Sequence, residues 1–109
     1  MKIYNKLVRD KIPQIITEHG KQCEVKILPE EEYEQLLIAK LLEEAKESTD
    51  ADPSQIVEEL ADLVEVVYAL LQLKGVSREE FDRIRLQKRE DRGGFDDRVF
   101  LMKVWDHTT

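Results

Sequence analysis

Five carboxylates fall into two tight groups, Glu43, Glu44 and Glu47 in one stretch and Glu59 and Asp62 in the next. Acids spaced i, i+3 share a helix face and lie close enough to share an ion. Hard oxygen ligands select Mg²⁺, with Mn²⁺ as its substitute, over zinc. The chain has one cysteine and two histidines, so no soft-ligand set competes for the role. A carboxylate oxygen left free of the ion can orient or deprotonate a water. Glu44 and Glu47 are both candidates for that task, with the choice open. Glu43, at the edge of their stripe, suits a base-positioning role.

These side chains stand on surfaces that otherwise favour burial. On a helical projection from Ile56, stepping about 100° per residue, Leu60, Leu63, Val64, Val67, Leu70 and Leu71 share one broad apolar face. Glu58, Glu65 and Gln72 cluster opposite, as a solvated face. Glu59 falls between Val66 and Leu70, and Asp62 between Ala69 and Leu73. An uncompensated carboxylate among apolar neighbours is costly, and a divalent cation compensates it well. On the preceding helix Lys40, Glu44 and Glu47 share a stripe with Tyr33, Leu36 and Leu37. Ile38, Leu41, Leu42 and Ala45 form a separate apolar side. Antiparallel packing of the two helices brings both acidic pairs to one point. On spacing alone, a metal site and a hairpin with salt-bridged edges, balanced partly by Lys40 and Lys46, fit equally.

Basic side chains supply candidates for holding an anion. Arg85, Lys88, Arg89 and Arg92 recur at i, i+3, i+4 and i+7, ending at Gly93-Gly94, where backbone can approach a phosphate. Arg85 and Arg89 read better as neutralising Glu79, Glu80, Asp82 and Glu90. Lys88 and Arg92, beside the glycines, are substrate-contact candidates. So are Lys40, between the acids, and Lys6 and Arg9, near the start. His19 and His107 read as surface residues. Cys23 reads as buried filler, and Trp105 as a core or interface residue.

The elements that must position these groups are mostly helical. Asp10 can cap a short helix through about Glu18, with Pro13 in its first turn and Gly20 as its stop. Residues 22–28 alternate, with Cys23, Val25 and Ile27 on one face, and read as a strand. Pro29 opens a helix to about Ser48, with Glu30, Glu31 and Glu32 in its first turn. After a polar loop over 49–52, Asp52 caps a helix with Pro53 at its first position and Gly75 after its last residue, Lys74. Ser77 with Glu80 forms a capping box for a helix to about Asp91. Residues 99–105 read as a return strand that pairs with 22–28. The expectation is an all-α helical bundle with a small β element, in a single domain over 1–109.

Composition bounds the function. Of 109 residues, 38% are charged and 6% aromatic, which suits helices rather than a β-sandwich. The net charge of −7 disfavours a nucleic-acid polymer as partner, whereas a free nucleotide can arrive with its own Mg²⁺. No apolar run is long enough to span a bilayer. The residues Met1 to Asn5 lack a signal-peptide core, and the lone cysteine points to a reducing, cytoplasmic compartment.

The run Glu43-Glu44-Ala45-Lys46-Glu47 with Glu59-Leu60-Ala61-Asp62 resembles the EExxE…ExxD signature of the MazG-like all-α nucleoside triphosphate pyrophosphohydrolases. Relatives of that family are the all-α dUTPases and the phosphoribosyl-ATP pyrophosphohydrolases. Tyr4 to Pro13 and Lys88 to Phe95 resemble one MazG-like subgroup, so the likeness touches nearly the whole chain. The resemblance implies a helical core assembling as a homodimer or homotetramer, with Mg²⁺ held by Glu44, Glu47, Glu59 and Asp62. It also implies attack of water on the α-phosphorus of a nucleoside triphosphate, releasing pyrophosphate. Phosphoribosyl-ATP is the alternative substrate. A non-enzymatic helical dimerisation module is the alternative of a different class.

Overall fold

The computed structural model describes residues 1–106, and they form four helices: α1 (Ile12–Glu18), α2 (Glu30–Asp50), α3 (Ile56–Leu73) and α4 (Arg78–Arg92). The fold is all-α. The chain divides into two compact units, Met1–Val76 and Ser77–Thr109. In the first, α2 and α3 pack against each other as a hairpin. The second is built on α4.

The helix ends follow local chemistry. Gly75 (φ +74°) closes α3 in a Schellman motif, with Gly75 N donating to Gln72 O at 3.1 Å and Val76 N to Leu71 O at 2.9 Å. Gly20 closes α1 the same way, through Thr17 O and Ile16 O. Ser77 caps α4, its hydroxyl accepting from Glu80 N at 3.1 Å. Two expected caps are absent. α1 begins after Lys11 rather than at Asp10, and its start carries no side-chain cap. Asp52 does not cap α3 either. Residues 53–55 form a turn in which Gln55 N donates to Asp52 O at 2.8 Å, and the helix starts at Ile56. The loop expected over 49–52 lies instead at 51–55, because α2 runs on to Asp50 and α3 starts only at Ile56.

No strand occurs among the described residues. The segments 22–28 and 99–105, expected as a small β element, are irregular. The alternation of 22–28 specifies an apolar face and 99–105 is apolar, but a strand also needs a partner ladder, and two strands alone are marginal. Cys23, expected inside, is exposed, as are Val25, Ile27 and the run from Val99 to Trp105. His107 lies outside the described residues.

The core is small. Leu37 of α2 and Val66 of α3 are its buried apolar residues, and Glu44 and Ser48 are buried with them. The face of α3 nearest burial therefore centres on Val66 and includes Glu59, Asp62, Leu63 and Leu70, all at least half-buried. Leu60 and Val64, on the apolar face of the projection, and Ile56 at its origin are about 40% exposed, with Val57 at 75%. The apolar arc of α3 is wider than one neighbouring helix can cover. On α2, Ile38 and Leu42 are exposed too. No helix among the described residues is long and apolar enough to cross a membrane.

Candidate metal centre

Glu44 sits where α2 turns its buried stripe, Leu37, Glu44 and Ser48, toward α3. Ser48 satisfies its own hydroxyl by donating to Glu44 O, one turn back, at 2.9 Å. The Glu44 carboxylate has no equivalent solution. Its Oε1 lies 3.7 Å from Lys40 Nζ, while its Oε2 is buried without a hydrogen-bond partner. Across the hairpin, Glu59 Oε2 is likewise buried and unpartnered. Oxygens of Glu44, Glu59 and Asp62 all lie within 4.8 Å of one another. Three carboxylates at that spacing, two of them with an orphaned oxygen, form a donor set fit for a hard divalent cation.

The electrostatics agree. Burial, then the neighbouring Glu47 carboxylate, pushes the Glu44 carboxyl above the ordinary carboxylate range, against the pull of Lys40. Burial, then Glu47 and Asp62, pushes Glu59 in the same direction. Both groups resist ionisation without a cation. Glu47 is exposed at the margin of the trio and acts on both Glu44 and Glu59. Glu43 behaves oppositely. Lys6 Nζ donates to its Oε1 at 2.9 Å and Lys40 lies 3.7 Å from its Oε2, so its carboxyl is held below the ordinary range.

Three of the expected anion-binding cations are thus counter-ions of the acids. Lys40 contacts Glu43 and Glu44, Lys6 contacts Glu43, and Arg9 Nη2 donates to Asp62 Oδ1 at 2.6 Å. The last two bridge 37 and 53 residues of sequence, which no local spacing signals. Ser48 could have been found, because it follows Glu44 by one helical turn on the same stripe. Lys88 and Arg92 belong to the second unit, where both are exposed on α4. In that unit Arg85 pairs with Asp82 at 3.7 Å and Arg89 with Asp96 at 3.5 Å. His19, expected at the surface, caps the end of α1 through Ile15 O at 2.8 Å.

Comparison with known proteins gave one family. Residues 9–89 match the model of the family described as phosphoribosyl-ATP pyrophosphohydrolase, a stretch that contains all five clustered acids. No curated protein matches the chain, and no solved structure does.

Proposed function

Since the chain belongs to the phosphoribosyl-ATP pyrophosphohydrolase family, we propose that it is a Mg²⁺-dependent nucleotide pyrophosphohydrolase cleaving a nucleoside triphosphate to the monophosphate and pyrophosphate. One observation carries this reading. Glu44 and Glu59 each bury an oxygen with no partner, and carboxylate oxygens of these two residues and Asp62 lie within 4.8 Å of one another. A fold keeps such a destabilising feature where a ligand completes it.

In this reading Glu44, Glu59 and Asp62 hold the cation, with Glu47 at the margin as a fourth ligand or as the base. A divalent cation supplies charge neutralisation for the phosphates and lowers the pKa of a water. Glu47 is the better proton acceptor of the two candidates. It is exposed, whereas Glu44 is buried and its oxygens face the trio. Water attacks the α-phosphorus, the bond from that phosphorus to the α–β bridging oxygen breaks, and the proton passes to a Glu47 carboxylate oxygen. Glu43, held ionised by Lys6 and Lys40, is a poor base and orients the cations instead. Lys40, Lys6 and Arg9 are the phosphate-binding cations of the first unit, and Lys88 and Arg92 those of the second.

The exposed apolar residues Ile38, Leu42, Ile56, Val57, Leu60 and Val64 support assembly with a second copy, as a homodimer or a dimer of dimers. The lone cysteine supports a cytoplasmic setting. A second substrate reading, phosphoribosyl-ATP, is favoured by the description of the matching family. Pyrophosphate release across a panel of nucleoside triphosphates and phosphoribosyl-ATP, with Mg²⁺ or with EDTA, tests both. Metal-dependent release from a triphosphate supports the lead reading, and release from phosphoribosyl-ATP alone supports the second. Release from none leaves a non-catalytic helical module.

A further inference from the structure

The segment before α1 carries no regular structure, yet two charged contacts lay it across the acidic hairpin. They are not equivalent. Lys6 grips Glu43, which is outside the trio, whereas Arg9 grips Asp62, which is inside it. Five acids, Glu43, Glu44, Glu47, Glu59 and Asp62, meet three cations, Lys6, Arg9 and Lys40. With Glu47 counted through its field on Glu44 and Glu59, the formal excess is two negative charges, which one divalent ion would balance. Arg9 therefore stands where charge is still missing, on a carboxylate that the ion would also claim.

We propose that Arg9 is a displaceable counter-ion: a divalent cation at Glu44, Glu59 and Asp62 expels its guanidinium from Asp62 and frees it to bind phosphate, while Lys6 keeps the segment tethered to Glu43. This rests on the metal-site reading above. The Arg9 and Asp62 side chains are 58% and 44% exposed, so their contact contributes little stability and exchanges cheaply. A dication sharing Asp62 repels the guanidinium directly. Arg9 lies three residues from Lys6, a span of at most about 10 Å, and the ion does not contest the Lys6 contact because Glu43 is outside the trio, so Arg9 stays near the site after release. Its planar fork then suits two phosphate oxygens, a geometry that lysine lacks. The order of events follows: the ion first, then Arg9 release, then a phosphate grip strengthened by the ion that caused it.

The test is a pair of calorimetric titrations on the full chain, Mn²⁺ alone and then inorganic pyrophosphate in saturating Mg²⁺. Arg9→Gln should bind Mn²⁺ about two- to five-fold more tightly and pyrophosphate about ten-fold more weakly. Lys26→Gln, which removes a positive charge elsewhere, should leave both unchanged. A residue that merely propped Asp62 in place would weaken Mn²⁺ binding instead. On the wild type, saturating Mg²⁺ should shift the Arg9 Nε–H resonance. An unmoved resonance, or Mn²⁺ binding by Arg9→Gln no tighter than wild type, overturns the proposal. If Glu59→Gln still abolishes Mn²⁺ binding in that case, the metal site stands and only the counter-ion role falls. Absence of any Mn²⁺ binding by the wild type removes both.

Discussion

Replacing Glu44 with glutamine should stabilise the metal-free protein while removing its response to metal. Glutamine keeps the shape of the side chain and deletes the charge. A charged acceptor buried without a partner costs about 1–3 kcal/mol, and Glu44 Oε2 is such an atom. The Lys40 contact at 3.7 Å offsets at most about 1 kcal/mol of that. The net gain for Glu44→Gln at pH 8 in EDTA, with the full Lys40 offset, is therefore up to about 2 kcal/mol. For a domain of this size that raises the melting midpoint by up to about 10 °C. The gain should shrink toward pH 5, where the raised Glu44 pKa leaves the wild-type carboxyl increasingly protonated. Adding Mg²⁺ at pH 8 should raise the wild-type midpoint and leave the variant nearly unmoved, since only a ligand bound to the folded form shifts it. Scanning calorimetry in EDTA and in Mg²⁺ at both pH values reads all four numbers. A variant less stable than wild type at pH 8 in EDTA, with the same Mg²⁺ response, would refute the reasoning.

Glu59→Gln should abolish pyrophosphate release while Glu58→Gln stays close to wild type, because only Glu59 turns its carboxylate into the trio. Equal kinetic losses in the two would overturn the assignment of helix faces. The metal-free protein should lose stability as pH rises from the ordinary carboxylate range through the raised pKa values of Glu44 and Glu59. The sign follows because the folded state binds those protons more tightly than the unfolded chain does. Denaturant midpoints in EDTA at a series of pH values measure it, and Mg²⁺ should flatten the slope. Val64→Asp, on the exposed side of α3, should shift the sedimentation coefficient toward the monomer without loss of helical circular dichroism. An unchanged coefficient would remove that face from the interface.

What the sequence discloses depends on how local the physics is. Ser77 with Glu80, and the stops at Gly20 and Gly75, act within one turn, and the structure has all of them. The approach of Glu44 to Glu59 and Asp62 was legible because i, i+3 spacing and a short connection between α2 and α3 leave a hairpin little freedom, whereas Glu47, expected as a fourth member, is not among the grouped oxygens. The surrounding packing was less so. The arc of α3 is apolar from Ile56 round to Leu70, so a projection cannot say which part meets α2, and the buried centre fell on Val66 rather than on Leu60 or Val64. Alternation at 22–28 and apolar content at 99–105 do not specify a strand partner, and both segments are irregular. The pairs Lys6–Glu43 and Arg9–Asp62 join an unstructured segment to helices far along the chain, which periodicity cannot foresee.

Anomalous diffraction from crystals soaked in Mn²⁺ asks the central question directly. The expected result is a peak about 2.0–2.3 Å from carboxylate oxygens of Glu44, Glu59 and Asp62. Ordered Mn²⁺ at other residues, with those three carboxylates unchanged around an empty centre, would contradict it.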